Sequence, residues 1–238
     1  MGWRTLCAIT VMASLTACFD FGSDAKFADN GSARVTLEIG VSAQLLAITA
    51  GLKKDGETVK DPFAECEVAP NADKLPPTVT WVKGARSQRG EMLVCTMTFD
   101  VADPVAATNW KRPSTGKDEP SLGLADPALH LERIGDKGYR MSMALQPKQP
   151  KPSSDDSEKI GQAMAAAMFA NRFLTISVNA ARIENTTGEL KDNGRKVVWK
   201  IPMLALIQPT PGYQQDVKAD IIYRVSMLDR ALRAIGLD

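Results

Sequence analysis

The sequence is poor in the residues that most often carry catalysis or bind metals. Its 238 residues include one histidine, His130, and four cysteines. No CxxC, HExxH or calcium-loop pattern is present, so no metal site is predicted. His130 stands between Leu129 and Leu131, where strand alternation places it on a polar face. A hydrolase would need a cleft joining His130 to a serine or a carboxylate. The sequence therefore predicts a protein that is not an enzyme, with no catalytic residues and no cofactor.

The sequence also lacks an excess of charge of either sign. The chain carries 29 basic and 28 acidic residues. Proteins that bind nucleic acids usually show a basic excess or a basic stripe, so nucleic acid is not expected as a partner. Apolar residues make up 44% of the chain, which is ordinary for a globular fold and too much for a disordered one.

The chain begins with an apolar run, residues 6–15, that is too short to cross a membrane, since a spanning helix needs about 20 residues. The run follows Arg4 and ends in Leu15-Thr16-Ala17-Cys18. This pattern resembles the lipobox of bacterial lipoproteins. The resemblance implies a signal peptide over residues 1–17, cleavage before Cys18, and lipidation (palmitate) of that cysteine. The alternative is an ordinary secretory peptide with a cysteine near its cleavage site.

Cleavage would leave Cys66 and Cys95 as an even pair in an oxidising compartment. A disulfide bond between them is the natural interpretation, and two buried, inert thiols are the alternative. The resemblance to the lipobox implies a location in the cell envelope, with the protein anchored by its lipid and facing the periplasm or the exterior. In a Gram-negative organism, Phe19 after the cysteine resembles lipoproteins of the outer membrane.

Beyond the leader, the pattern predicts a tether over residues 18–31 and a single α+β domain over residues 32–238. Its long surface loops should lie near residues 102–127 and 146–156, which are rich in proline and charge. Helices are predicted at residues 42–52 and 157–171 and after residue 226. Alternating apolar residues or hairpin signals predict strands at residues 35–41, 79–83, 92–101, 129–134, 139–145, 174–178, 197–201 and 221–225. Together these elements predict an α+β fold: a curved, mostly antiparallel sheet with helices packed on one face.

Two groups of residues are candidates for ligand binding. Trp81, Arg86 and Arg89 fall in or beside a predicted hairpin loop, residues 84–90. Arginine and tryptophan together suit an anionic headgroup at a membrane interface, although a solvated turn has the same composition.

The second group is Met164, Met168 and Trp199. Methionine adapts to irregular apolar shapes such as acyl chains, and a concave cavity lined by these residues would favour lipid binding. The alternative is an ordinary core helix, because an apolar helical stripe usually faces its own core.

The segments at residues 182–188 (RIENTTG) and 195–202 (RKVVWKIP) look like a strand, an Asn-Gly turn and a return strand that contains tryptophan. This arrangement behind an Ala-rich helix is similar to LppM-type bacterial envelope lipoproteins. The resemblance implies an α+β body beneath a lipid anchor and a link to envelope lipid binding. Residues 227–237 are short and carry three charges, so no C-terminal transmembrane helix is expected there, which would be a departure from the family.

The sequence thus predicts a lipid-anchored, non-enzymatic envelope lipoprotein. Its partners would be the membrane, through the N-terminal lipid, and an apolar or anionic envelope lipid. The alternative function is that of a structural or assembly partner of another envelope protein, docked through a sheet edge or a long loop.

Overall fold

The computed structural model describes residues 19–51, 61–110, 129–145, 163, 166, 169–207 and 213–225. These residues form two sheets. The larger sheet has seven strands, in the order β3-β4-β2-β1-β7-β10-β9. Their bounds are β1 Phe19–Phe27, β2 Ala33–Ser42, β3 Val79–Arg89, β4 Met92–Val101, β7 Phe173–Asn179, β9 Glu189–Lys191 and β10 Lys196–Pro202. Neighbouring strands are antiparallel except β1 and β7, which are parallel.

The smaller sheet is antiparallel and has the order β5-β6-β11-β8. Its strands are β5 His130–Ile134, β6 Gly138–Leu145, β8 Arg182–Glu184 and β11 Gln215–Ile222. In the described part of the chain, the α-helices with defined bounds are α1 Ala43–Gly51, α2 Pro104–Asn109 and α3 Met203–Ile207, with a 3-10 turn at Ala72–Lys74. Helix α2 begins after Asp103, whose carboxylate accepts hydrogen bonds from the backbone N–H groups of Val105 and Ala106, as N-cap residues do.

The predicted α+β class is wrong, because the described structure is mostly β and its helices are short. Among the described residues, the apolar face of β1, β7 and β10 packs mainly against the second sheet, and the short helices α2 and α3 add Val105, Met203 and Leu206 to the same cluster. One buried cluster contains residues of both sheets: Tyr139, Met141 and Ile221 from the smaller sheet, and Val178 and Ile201 from the larger. A strand that buries one face needs an apolar layer opposite it, and a second sheet supplies that layer here.

The tether predicted over residues 18–31 is also wrong, because β1 begins at Phe19. Its side chains alternate: Phe19, Phe21, Ala25 and Phe27 pack on the apolar side, and Asp20, Gly22, Asp24 and Lys26 face the other way. Glycine, serine and aspartate have low strand propensity. Pairing on both edges, with β2 and with β7, overrides that propensity.

The predicted loop over residues 84–90 is mostly strand. Strand β3 continues to Arg89 with a register shift between Trp81 and Lys83, and the turn is confined to Gly90 and Glu91. Part of the loop predicted near residues 102–127 is α2, and residues 111–128 lie outside the described residues. Cys18, the 146–156 loop, most of the 157–171 helix and the helix after residue 226 also lie outside them.

Several predictions are confirmed. Helix α1 matches the expected segment closely, and β5 and β6 form the expected hairpin. The Asn193-Gly194 turn, with both residues at positive φ, joins β9 to β10. The disulfide bond between Cys66 and Cys95 is present, with a Cα–Cα distance of 5.8 Å. It ties residues 61–68 to the apolar side of β4, beside Val41, Leu45 and Phe63.

One end of the larger sheet is here called the Phe19 end. The register places the first residue of β1 opposite Val41 of β2, and Ser42 opposite Met92 of β4. Strand β7 begins at this end with Phe173, whose partner is Pro202, the last residue of β10. Helices α1 and α3 therefore both leave the sheet at the Phe19 end, because each begins directly after one of these strand ends.

Candidate functional site

Trp81 lies half-buried on the apolar face of β3. Its ring packs edge-on against Phe99, with 5.3 Å between the ring centroids. Phe99 is opposite Val35 on β2, and Leu37 is two residues further along the same strand. These four side chains are here called the apolar strip. All four are half-buried, and none belongs to either buried cluster of the described residues.

The apolar strip lies between two covered regions of the sheet. On one side, β1, β7 and β10 pack against the smaller sheet. On the other, Met97 and Cys95 of β4 pack with α1 and the disulfide segment. Within the described residues, the strip is a part of this face where aromatic and aliphatic carbon outside both clusters keeps partial contact with solvent, which is what an apolar ligand would use.

Arg86 and Arg89 do not join Trp81 in one binding surface. They are three residues apart on β3 and lie on opposite faces of the sheet. Arg86 Nη2 lies 2.6 Å from Asp61 Oδ2. Arg89 binds Glu38 through two hydrogen bonds of 3.0 and 3.1 Å, and these bonds raise the pKa of Arg89. Each guanidinium already has a carboxylate partner, so these two arginines do not form a paired cationic clamp for a phosphate.

Trp199 is part of the core and is only 2% exposed. Its indole nitrogen donates a hydrogen bond to Thr187 Oγ1 at 3.1 Å. That hydroxyl donates in turn to the carbonyl of Asp216 at 2.8 Å and accepts from the backbone N–H of Lys218. Trp199 thus fixes the 185–188 loop to β11. Met164 and Met168 lie outside the described residues.

Asp220, which is 6% exposed, lies at the centre of a polar site. Sequence patterns did not reveal this site. Its carboxylate accepts hydrogen bonds from Arg140 Nε at 2.8 Å and from Asn185 Nδ2 at 2.8 Å. Arg140 lowers the pKa of Asp220 most, and Asn185 contributes in the same direction while burial opposes both. Asn185 has a φ of 45°, so this ion pair also holds the loop between β8 and β9. The site braces β6, β8 and β11, and sequence spacing could not have found it.

The opposite face of the larger sheet is polar. A groove of about 440 Å³ there is bordered by Asp20, Asp24, Glu38, Thr36 and Ser177, among others. Asp24 accepts hydrogen bonds from Ser177 Oγ and from Asn179 Nδ2. Asp20 pairs with Arg172, and Glu38 pairs with Arg89. Each of these three carboxylates is therefore engaged by neighbours on the same sheet.

His130 is exposed on β5, opposite Ser142 of β6 in the strand register. Among the residues that the structure describes, no group of histidine, cysteine, aspartate and glutamate side chains is arranged to hold a metal ion. Within the same residues, no helix has both the length and the hydrophobicity to cross a membrane.

No protein-family profile matches the sequence, and no curated protein is significantly similar to it. Among solved structures, the folded domain of the Mycobacterium tuberculosis LppM protein, determined by NMR, is similar in fold. The TM-score is 0.43 and the sequence identity 10%, over 88% of this chain and 92% of that one.

Proposed function

We propose that this chain is a lipid-anchored, non-enzymatic lipoprotein of the bacterial cell envelope, and that its body binds the acyl chain of an envelope lipid at the apolar strip. The anchor rests on the sequence Leu15-Thr16-Ala17-Cys18. The disulfide bond agrees with this location, because such bonds persist in oxidising compartments such as the periplasm.

The apolar strip is the observation that carries the binding proposal. Trp81 and Phe99 supply two aromatic rings in edge contact, and Val35 and Leu37 supply branched aliphatic carbon beside them. Acyl carbon placed against these side chains would be removed from water, at roughly 0.8 kcal/mol for each buried CH₂ group. Arg86 and Arg89 are paired with carboxylates, so the acyl chain is favoured over the anionic headgroup as the part recognised.

The experiment for the anchor is metabolic labelling with palmitate, combined with membrane fractionation. Wild-type protein is expected to take the label and to sediment with membranes. The Cys18→Ser variant is expected to lose the label. An unlabelled wild type, or a variant that stays equally firmly bound to membranes, would contradict the anchor.

The experiment for the strip uses tryptophan fluorescence. A fatty acid brominated along its chain quenches indole rings that it touches, and the detergent-extracted full protein is titrated with it. Quenching is expected in the wild type and in the matched control Trp110→Phe, but it should be largely lost in Trp81→Phe. Equal quenching in both variants would place the acyl chain elsewhere. Absence of quenching, with a protein partner recovered from the envelope instead, would favour the assembly function.

A further inference from the structure

A groove crosses the polar face of the larger sheet, on the side opposite to the apolar strip. Its volume is about 440 Å³, and it is here called the polar groove. Gly22 lies at its floor, on the same face of β1 as Asp20 and Asp24. Its walls come from the two strands that flank β1: Thr36 and Glu38 of β2, and Phe173, Thr175 and Ser177 of β7.

The glycine at the floor is not required by the fold. Strand β1 runs through Gly22 without a bulge and pairs there with Glu38 and Thr175. Gly22 is not among the glycines with positive φ. A Cβ on it would meet only Glu38 Cβ, at an ordinary 3.7 Å. Glycine weakens the interior of a strand, and where it marks neither a bulge nor a crossing backbone it suits the close approach of a ligand.

The polar groove offers both donors and acceptors of hydrogen bonds. Ser177 Oγ and Asn179 Nδ2 both donate to Oδ1 of Asp24, so Oδ2 has no partner within the described part of the chain. Thr36 and Thr175 add two hydroxyls for which the same residues supply no partner. A hydroxyl both donates and accepts. A ligand that carries hydroxyls can therefore satisfy all three groups.

Charges of both signs surround the polar groove. They comprise the ion pairs Asp20–Arg172 and Glu38–Arg89 and the single charges of Asp24, of Lys26 beside it on β1, and of Lys200 opposite Thr175 on β10. Neither sign dominates, so an anion or a cation would meet like charges as well as opposite ones. A neutral polar ligand can donate to the carboxylates and accept from the cations, and hydrogen bonds to charged groups are the stronger ones.

An aromatic ring closes the polar groove at the Phe19 end. Phe173 is 43% exposed, and the parallel register of β1 and β7 places it beside Asp20. The same register places Ser177 beside Asp24, four residues further along. Four residues of strand span roughly 13 Å. A ligand that reaches both the ring and Asp24 is therefore longer than a single sugar.

We propose that the polar groove binds a neutral oligosaccharide, with one sugar ring stacked on Phe173 and the hydroxyls of a further ring bonded to Asp24, Thr36 and Thr175. A sugar ring has a face of C–H groups that suits an aromatic side chain, and its hydroxyls match the mixed donors and acceptors of the walls. The site lies on the face opposite to the apolar strip. The inference therefore depends neither on acyl-chain binding nor on the lipid anchor.

The test uses the full-length protein, extracted in a detergent without a sugar headgroup, and an array of immobilised glycans. The array holds neutral, anionic and amine-bearing glycans, each from single sugars to longer oligomers. Wild-type protein is expected to bind neutral oligomers, and to bind the single sugars severalfold more weakly. Binding confined to anionic or amine-bearing glycans would overturn the choice of a neutral ligand. Absence of binding to any glycan would overturn the site.

Two variants locate the binding. Gly22→Val fills the floor of the polar groove, where the fold has room for a side chain, and Phe173→Leu removes the aromatic ring while it keeps apolar carbon. Each is expected to bind the same neutral oligomer severalfold more weakly than wild type. The matched control is Thr80→Val, because Thr80 is exposed on the same face of the sheet but lies outside the polar groove. It should bind as wild type does.

Urea unfolding checks that each variant is folded. Unchanged binding in both groove variants, or an equal loss in Thr80→Val, would overturn the site. If Gly22→Val does not fold, the comparison of Phe173→Leu with Thr80→Val decides the question alone.

Discussion

The side chain of Thr187 receives the indole N–H of Trp199, at 3.1 Å, although the two residues lie on different elements of the fold. The same hydroxyl bonds two backbone groups of β11. One small side chain thereby links the core tryptophan of the larger sheet to a strand of the smaller one.

Replacing Thr187 by valine keeps the shape and removes the hydroxyl. The buried N–H of Trp199 would then lose its partner, which costs roughly 1 to 3 kcal/mol. We expect the free energy of unfolding in urea to fall by about this amount. Thr187→Ser keeps the hydroxyl and should cost less. An unchanged midpoint in the valine variant would contradict this role.

Gly84 has no room for a side chain. A Cβ at this position would overlap the carbonyl oxygen of Cys66 and touch the ring of Trp81, because the disulfide segment crosses β3 here. Gly84→Ala is therefore expected to destabilise the fold, or to displace residues 61–68. The matched control is Gly22→Ala on β1, whose nearest neighbour would be Glu38 Cβ at an ordinary 3.7 Å. Thermal unfolding compares the two variants, and equal melting temperatures would refute the expectation.

Reduction of the Cys66–Cys95 bond should weaken the fold. The two residues are 29 apart in sequence, and closing a loop of that size is worth about 3 to 4 kcal/mol in the chain-entropy model. Denaturant unfolding with and without reductant measures the difference. The double variant with both cysteines changed to alanine should match the reduced wild type. A double variant as stable as the oxidised protein would show that the disulfide bond contributes little to the free energy of unfolding.

Asp220 should make stability depend on pH in the acid range. Its pKa is lowered in the folded state, chiefly by Arg140. The carboxylate therefore contributes stability that is complete above the unfolded value of about 3.9. This contribution is lost as the pH falls from there through the folded pKa.

The measurement for Asp220 is urea unfolding at pH values from 7 down to 2. The wild type should lose more stability below pH 4 than Asp220→Asn does, and the difference between them isolates this group from other carboxylates. Parallel curves would contradict the expectation. Asp216→Asn is a useful comparison, since Lys218 and Gln214 also lower the pKa of that carboxyl but on an exposed surface.

Much of the strand content could be predicted from the sequence. Val197, Trp199 and Ile201 alternate along β10, and the structure buries each of them almost completely. Such alternation indicates which side of a strand is apolar, but it does not reveal what covers that side. The cover of β10 is a second sheet. Its strand β6 was predicted but assigned to the same sheet, and only residues 221–222 of β11 fall within a predicted strand, residues 221–225. The fold class was therefore missed although strands such as β2, β4, β6, β7 and β10 were predicted.

The candidate site was less predictable, for a similar reason. Trp81 and Phe99 meet because β3 and β4 adopt one particular register with a bulge, and a one-residue slip would place Trp81 on the other face. Arg86 and Arg89 looked like a cluster because they are close in sequence. Continuation of β3 as a strand separates them, since residues an odd number apart face opposite sides.

The place of β1 in the larger sheet bears on the order of events during biogenesis. This strand leaves the ribosome first, yet it lies in the middle of the sheet, and its parallel neighbour is β7. Asp24 and Ser177, which are hydrogen-bonded across that pair, are 153 residues apart. If the leader directs export, one edge of β1 can pair with β2 early. Its other edge stays unpaired until β7 has also crossed the membrane. Lipid would then be attached to Cys18 while β1 has not yet paired with β7.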